Sequence, residues 1–311
     1  MNDATLDPFD ANRFHISTPM IQALHERLCQ WLWCGFTGGL IIGEARSGKT
    51  RAISALDNTL STRTGQRVPL HRVDIAQRDT ATVRSLFANV ALALGRNVGR
   101  HDTCDLLSDW VLHYLADASL TNDTRHVILM VDEAQYLTAR QLSGFAEMYN
   151  KLQLMGVNLV VFFVANEDQI KPLAEALLEK KNDYLRERFF KQVYRFYGIR
   201  SHREVLQCLT QYDTTLEDKH PAITQQVLPK AYSEGFRLQQ LSEPLWAMYA
   251  SEYKTPLNLT SWRMQYFIGT VNILLMDYLP NYDSRDPEQV EQMIHHSLEA
   301  SGLTPSLASV V

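Results

Sequence analysis

The sequence predicts an α/β fold: a parallel sheet flanked by helices, followed by a smaller all-helical region. Three observations predict it. The apolar run "GGLII" is too short for a helix and stands directly before Gly43-Glu44-Ala45-Arg46-Ser47-Gly48-Lys49-Thr50. Two further runs, "HVILMVDE" and "VNLVVFFVAN", lack polar alternation and read as strands buried on both faces. From residue 201 onward strand-like runs stop and helical periodicity takes over. Strands that alternate with helices form a parallel sheet with helices packed on its faces.

Each element follows in order. Residues 1–16 read as a loose arm. Ser17-Thr18-Pro19 opens a helix, with a hydroxyl cap and a proline whose missing N–H costs nothing there. Ile21, Leu24 and Leu28 give it an apolar stripe. "GGLIIG" is the first strand, and "TRAISALDNTLSTRTG" is expected as one helix closed by Gly65. "VPLHRVDI" is a second strand, placed toward an edge by Pro69. Val83, Leu86, Phe87, Val90, Ala91 and Leu94 line one helical face, and Leu106 to Leu115 supply another. The second buried run is followed by a helix near Leu142–Leu154, then the third run, with "QVYRFYGI" as a fifth strand. Helices are expected at 201–212, 221–233, 237–250 and 258–279, with a short one after Asp286-Pro287.

Bulk properties narrow the function. The 311 residues, 45% of them apolar, suffice for a large domain plus a smaller one at about 150 residues per domain. No apolar run approaches the ~18 residues of a membrane span; "GTVNILLMDYL" comes nearest, and Asn272 and Asp277 interrupt it. The acidic N-terminus has no signal-peptide core, so a cytoplasmic location is expected. Cys29, Cys34, Cys104 and Cys208 are scattered, which supports neither a disulfide frame nor a zinc site. A net charge of −5 argues against coating nucleic acid by bulk charge, so any such binding needs a local patch or many subunits.

"GEARSGKT" fits GxxxxGK[ST] without a mismatch and lies between a strand and a helix, the context that confirms it. Glycines let successive amides from Gly43 to Gly48 (through Glu44, Ala45, Arg46 and Ser47) converge on one anionic centre, and the helix adds its positive end. Lys49 would reach the β- and γ-phosphates of ATP, and Thr50 would hold Mg²⁺ through its hydroxyl.

The strand "VILMVDE" ends in two carboxylates. Asp132 is placed to bind the metal's water shell and Glu133 to polarise an attacking water. Asn166, at the end of "VVFFVAN", offers a carboxamide that orients that water; a strand-terminal Asn also starts ordinary turns. "NDYLRERFFKQVYRF" is the densest basic segment, and Arg186 and Arg188 fall between the third apolar run and the fifth strand. An arginine supplied to a neighbouring subunit's γ-phosphate contributes roughly 10³–10⁵ in rate. Arg188, fixed by Phe189-Phe190, is the stronger candidate, although paired Glu and Arg on a solvated helix explain the segment equally well. Arg237 follows a glycine at a helix start and suits a residue that senses the nucleotide.

These residues together resemble an AAA+ ATPase of the initiator and helicase-loader type. Within that group the chain is similar to the TnsC/TniB transposition regulators, whose relatives include MuB and IstB, on three features: the "FHISTP" lead-in, the "VDEAQYL" continuation, and a compact helical lid. The resemblance implies an AAA+ domain at 1–200 with its arm at 1–16, a lid at 201–280, and a C-terminal helix and flexible tail at 281–311. It also implies an ATPase that assembles on double-stranded DNA as a homo-oligomeric ring or helical filament. Such a protein links a target-selector protein to the transposase and is dismantled by hydrolysis. By region only, Arg78, Thr80, Arg84 and Arg140 become DNA-contact candidates, and the tail from Pro280 a transposase contact. Few phosphate contacts per subunit suffice when a filament repeats them, which reconciles DNA binding with the acidic charge.

Three alternatives remain open. A helicase loader or replication initiator shares every ATP-handling residue and differs in binding a helicase or single-stranded DNA. A signalling P-loop ATPase would carry long sensor repeats, for which the chain after the lid leaves no room. A metabolite kinase needs no water-activating glutamate, so Glu133 counts against it.

Overall fold

The computed structural model describes residues 16–214, 221–281 and 286–303. The chain divides into two units. An α/β unit comprises Ala23–Ala45 and Lys49–Phe196, and a helical unit collects residues 16–22, Arg46–Gly48 and the chain from Tyr197.

The elements run α1 (Pro19–Trp33), β1 (Gly38–Gly43), α2 (Lys49–Ser54), β2 (Leu70–Asp74), α3 (Val83–Ala93), α4 (Cys104–Thr121), β3 (His126–Asp132), α5 (Ala139–Leu154), β4 (Asn158–Asn166), α6 (Lys171–Leu178), α7 (Asp183–Phe189) and β5 (Val193–Arg195). The five strands form one parallel sheet in the order β2-β3-β4-β1-β5. β3 and β4 sit inside it, and Val127–Val131 and Val161–Val164 are fully shielded from solvent, as their unbroken apolar pattern requires. Burying each such side chain contributes about 1.5–3 kcal/mol. Phe163 anchors one face, edge-on to Phe145 at 5.3 Å and stacked on Phe190 at 4.7 Å. β2 is an edge strand that begins just after Pro69, as the proline dictates.

Hydroxyl side chains start α1, α3, α4 and α5. Thr18 accepts from Ile21 N at 3.3 Å, and Thr103 caps α4. Thr82 with Ser85, and Thr138 with Gln141, form reciprocal capping boxes at α3 and α5.

The helix expected over residues 50–65 is corrected. α2 ends at Ser54, whose hydroxyl bonds back to the carbonyl of Thr50 at 3.0 Å. Asn58 then takes a left-handed φ of 58°, and the chain folds into a hairpin closed by the antiparallel Ser61–Arg67 bridge. Its Ser, Thr and Asn residues prefer turns to helix, and Gly65 supplies the positive φ of 83° that the tip needs.

The helical unit contains α8 (His202–Asp213), α9 (Ile223–Val227), α10 (Pro229–Ser233), α11 (Ser242–Tyr249), α12 (Met264–Ile273) and α13 (Pro287–Ala300). The stretch expected as a helix at 221–233 is two, because Pro229 restarts the chain as the first residue of α10. The stretch expected at 258–279 starts at Met264, since Trp262 is held in an antiparallel bridge with Ile199. It continues as a π-turn over Leu274–Tyr278. α13, expected to be short, has 14 residues. Tyr249 stacks on Trp262 at 4.1 Å, and the buried Asn272 accepts from the Tyr212 hydroxyl at 3.0 Å. Residues 1–15 of the arm expected at 1–16 and the tail at 304–311 lie outside the described residues, and Ile16 is buried. No helix among the described residues is long and apolar enough to cross a membrane.

Candidate nucleotide-binding site

The parallel sheet aligns the carboxyl ends of its strands, where open α/β sheets bind ligands. Gly43 of β1 is the register partner of Asn166 of β4, so the loop after β1 begins level with the end of β4. β4 in turn pairs with β3, which ends in Asp132. Motif residues far apart in sequence therefore meet at the carboxyl ends of neighbouring strands.

Gly43 is required by a close approach: a Cβ there would lie 2.3 Å from the Phe196 carbonyl oxygen. Its own carbonyl accepts from Glu167 N at 3.0 Å. Along the loop Arg46 and Gly48 adopt positive φ values of 64° and 97°, the alternation that turns successive amides to one side and creates an anion-binding concavity. The Ser47 hydroxyl is buried and has no hydrogen-bond partner among the described residues. In the helical unit the Arg46 guanidinium donates to the Tyr266 hydroxyl at 2.5 Å.

Lys49 opens α2. Its ammonium donates to the carbonyls of Gly43 at 2.8 Å and Glu44 at 2.7 Å. Burial pushes its pKa below the ordinary lysine value, and the surrounding carboxylates of Asp132, Glu133, Asp168 and Glu167 oppose that shift. The Thr50 hydroxyl donates to Asp132 Oδ2 at 3.0 Å. Burial raises the Asp132 carboxyl above its usual range, while the Glu133 amide and the Thr50 hydroxyl hold it down. Glu133 itself stands at a left-handed φ of 56°, with its N–H turned back onto Asp132 Oδ1 at 2.9 Å. A non-glycine residue held there stores about 1–3 kcal/mol and points to a functional constraint.

The residues present fit a nucleoside triphosphate with Mg²⁺. The amide concavity, the unsatisfied Ser47 hydroxyl and the lysine match phosphate oxygens. Thr50 and Asp132 supply the hard oxygen donors Mg²⁺ takes, and Mg²⁺ needs few of them because it keeps several waters. Beside this pair a cleft of about 570 Å³ opens, lined also by Asp57, Arg72 and Asp74, where α2 ends early.

The other candidate residues have local partners. Asn166 Oδ1 accepts from Asp168 N at 3.2 Å, the ordinary strand-end turn. Arg186 pairs with Asp183 at 3.0 Å on the same helix. Arg188 donates to Asn150 Oδ1 at 2.9 Å and lies over the Tyr149 ring at 4.7 Å. Arg237 donates to the carbonyls of Tyr232 and Phe236, with its guanidinium 3.6 Å from the Tyr232 ring centre. Arg78 donates to Asn89 Oδ1 at 2.9 Å, and Arg84 to the Asp102 carbonyl at 2.8 Å and the Gly99 carbonyl at 3.2 Å. Thr80 and Arg140 are exposed. Sequence reasoning missed Gln135. This residue is 8% exposed, donates through Nε2 to Glu133 Oε2, and accepts the Asn166 N–H at 3.1 Å. Its only signal was its place two residues after Glu133 in "DEAQ".

The AAA domain family model matches residues 37–171, which spans β1, the loop, both acidic residues and Asn166. No curated protein matches the chain by sequence. Among solved structures the chain is similar to Drosophila ORC bound to DNA, at 13% identity and a TM-score of 0.50, covering 91% of this chain and 69% of that one. It is also similar to the ORC2 protein of Aeropyrum pernix, at 12% identity and a TM-score of 0.46, covering 97% and 84%. A third is the Walker-type ATPase of Pyrococcus abyssi, at 16% identity and a TM-score of 0.43, covering 91% and 88%. Residues 37–171 thus match an AAA domain, the fold is an AAA+ P-loop fold like that of ORC, and the C-terminal helices fit a lid.

Proposed function

We propose that this protein is an ATPase that couples hydrolysis to assembly on duplex DNA. The observation that carries the hydrolysis reading is the Thr50–Asp132 bond, which sets the metal-binding pair of two separate motifs side by side with Glu133 next in the chain. In this reading the amides of Gly43–Thr50 and the Lys49 ammonium bind the β- and γ-phosphates of ATP. Thr50 and Asp132 would hold Mg²⁺, which would supply positive charge to those phosphates. Glu133 takes a proton from water as the water oxygen bonds to the γ-phosphorus and the bridging P–O bond breaks, giving ADP and phosphate. The Asn166 amide orients that water. Arg188, or Arg186, supplies positive charge to a neighbouring copy, and Arg237 senses the nucleotide.

The finer reading is a transposition regulator of the TnsC/TniB type, which forms a ring or filament on double-stranded DNA and links a target-selector protein to the transposase. It is supported by the "FHISTP" lead-in, the "VDEAQYL" continuation and the compact helical region at the C-terminal side, and it carries the domain plan of 1–200, 201–280 and 281–311. Arg78, Thr80, Arg84 and Arg140 are its DNA contacts. A replication-initiator or helicase-loader role is the second reading, favoured by the likeness to ORC, one structure of which is bound to DNA.

Electron microscopy with duplex DNA, with and without a non-hydrolysable ATP analogue, tests the proposal. Nucleotide-dependent rings or spirals around the duplex are expected. Dispersed monomers under both conditions overturn it, and selective binding of single-stranded DNA shifts the assignment to the second reading.

A further inference from the structure

We infer that Gln135 is a positioning residue for hydrolysis, the side chain that fixes the Glu133 carboxylate and ties it to the end of β4. The inference rests on the hydrolysis reading of the same site.

The orientation of the Gln135 amide follows from its partners. A backbone N–H only donates, so the Gln135 atom that faces Asn166 N at 3.1 Å is the oxygen. The amide nitrogen then faces Glu133 Oε2, and its second hydrogen reaches Gln169 Oε1 at 3.3 Å. Both amide hydrogens and one oxygen lone pair are used. Gln135 is itself buried in the short 3₁₀ turn Ala134–Tyr136 that follows Glu133, so its rotamer is fixed by packing.

The consequence is geometric. Glu133 is exposed and held at a left-handed φ, and its backbone alone leaves the carboxylate free to rotate about its side-chain bonds. The Gln135 amide removes that freedom. It also joins Glu133 to the backbone of Asn166, the residue registered beside Gly43 at the start of the phosphate loop. One buried side chain thereby links the water-activating carboxylate to the strand end that faces the γ-phosphate. A general base must be set within hydrogen-bond reach of its proton, and groups that lock its rotamer supply that precision.

Two variants separate this role from simple pinning of β4. Gln135→Glu keeps the side-chain length and an oxygen for the Asn166 N–H, but sets a carboxylate against Glu133. Gln135→Met keeps the length and loses all three bonds. Steady-state ATP hydrolysis, equilibrium binding of a fluorescent ATP analogue and thermal melting are measured on the full chain. Both variants are expected to lose about tenfold or more in kcat, with Gln135→Glu no better than Gln135→Met, and to keep nucleotide affinity within about twofold. In a Glu133→Gln background the Gln135→Met change is expected to cost nothing more. Wild-type turnover in Gln135→Glu, a parallel loss of affinity and melting temperature in both, or a full further loss in the Glu133→Gln background would each overturn the inference while leaving the hydrolysis reading intact. A parental protein that binds the analogue but never cleaves ATP overturns the hydrolysis reading and takes the inference with it.

Discussion

The Thr50 hydroxyl donates to Oδ2 of Asp132 at 3.0 Å across 82 positions of sequence. β1 and β3 are not neighbours in the sheet, because β4 lies between them. The bond joins the start of α2, which follows β1, to the end of β3, and Asn166 and the Gln135 amide stand at the end of β4, the strand between them. These four residues are held by one sheet register and a few side-chain bonds.

Lys49→Ala is expected to weaken ATP binding by about tenfold to a hundredfold, the loss of one charge-assisted hydrogen bond of roughly 1.5–3 kcal/mol. Isothermal titration calorimetry reads it directly. Unchanged affinity removes the phosphate loop from the nucleotide site.

Glu133→Gln is expected to bind ATP as the parent does and to hydrolyse it about 10²–10⁴ times more slowly. Single-turnover kinetics with pre-bound ATP isolates the chemical step. Assemblies on DNA should persist in this variant, visible as slow dissociation after dilution.

Arg188→Ala should lose turnover at concentrations where copies associate, and regain it on mixing with Lys49→Ala. The first variant keeps a working phosphate loop, and the second still presents its arginine. Asn150→Ala serves as the control for the bond that Arg188 makes within its own chain. No recovery in the mixture assigns Arg188 to that local bond.

The DNA candidates separate by what they already hold. Arg84 is bonded to the backbone carbonyls of Asp102 and Gly99, so Arg84→Ala is expected to destabilise the fold by about 1–3 kcal/mol. Arg140 is exposed at the start of α5, and Arg140→Ala should leave melting unchanged while reducing the salt dependence of duplex binding by about one phosphate contact. A salt slope equal to the parent's removes Arg140 from the interface.

Thiol chemistry checks the burial directly. Cys34 is exposed, whereas burial drives the Cys208 thiol up to about 12 and raises that of Cys29 as well. A raised thiol pKa means less thiolate at any working pH, so at pH 8 a disulfide reagent should modify Cys34 quickly and reach Cys29 and Cys208 only after denaturation. Cys34→Ser should abolish the fast phase. Rapid reaction at Cys208 in the native protein contradicts the packing around α8.

The phosphate loop, the acidic pair and the buried strands were legible in the chain itself. Each is a local arrangement: glycines where amides must converge, unbroken apolar runs where both faces are covered, hydroxyls where helices begin. α2 shows where local reading fails: residues 50–65 are expected as one helix, and turn-preferring side chains end it at Ser54, whose hydroxyl accepts from Arg72 at 2.6 Å. The partners of the arginines were equally hidden, because a guanidinium in sequence shows its charge and not the carbonyls or rings it will meet. The sequence by itself determined where the GxxxxGK[ST] loop and the strand-end carboxylates stand. Only the tertiary structure decided that Gln135 stands between Glu133 and Asn166, because hydrogen bonds across strands depend on sheet order and register, and no spacing along one chain encodes those.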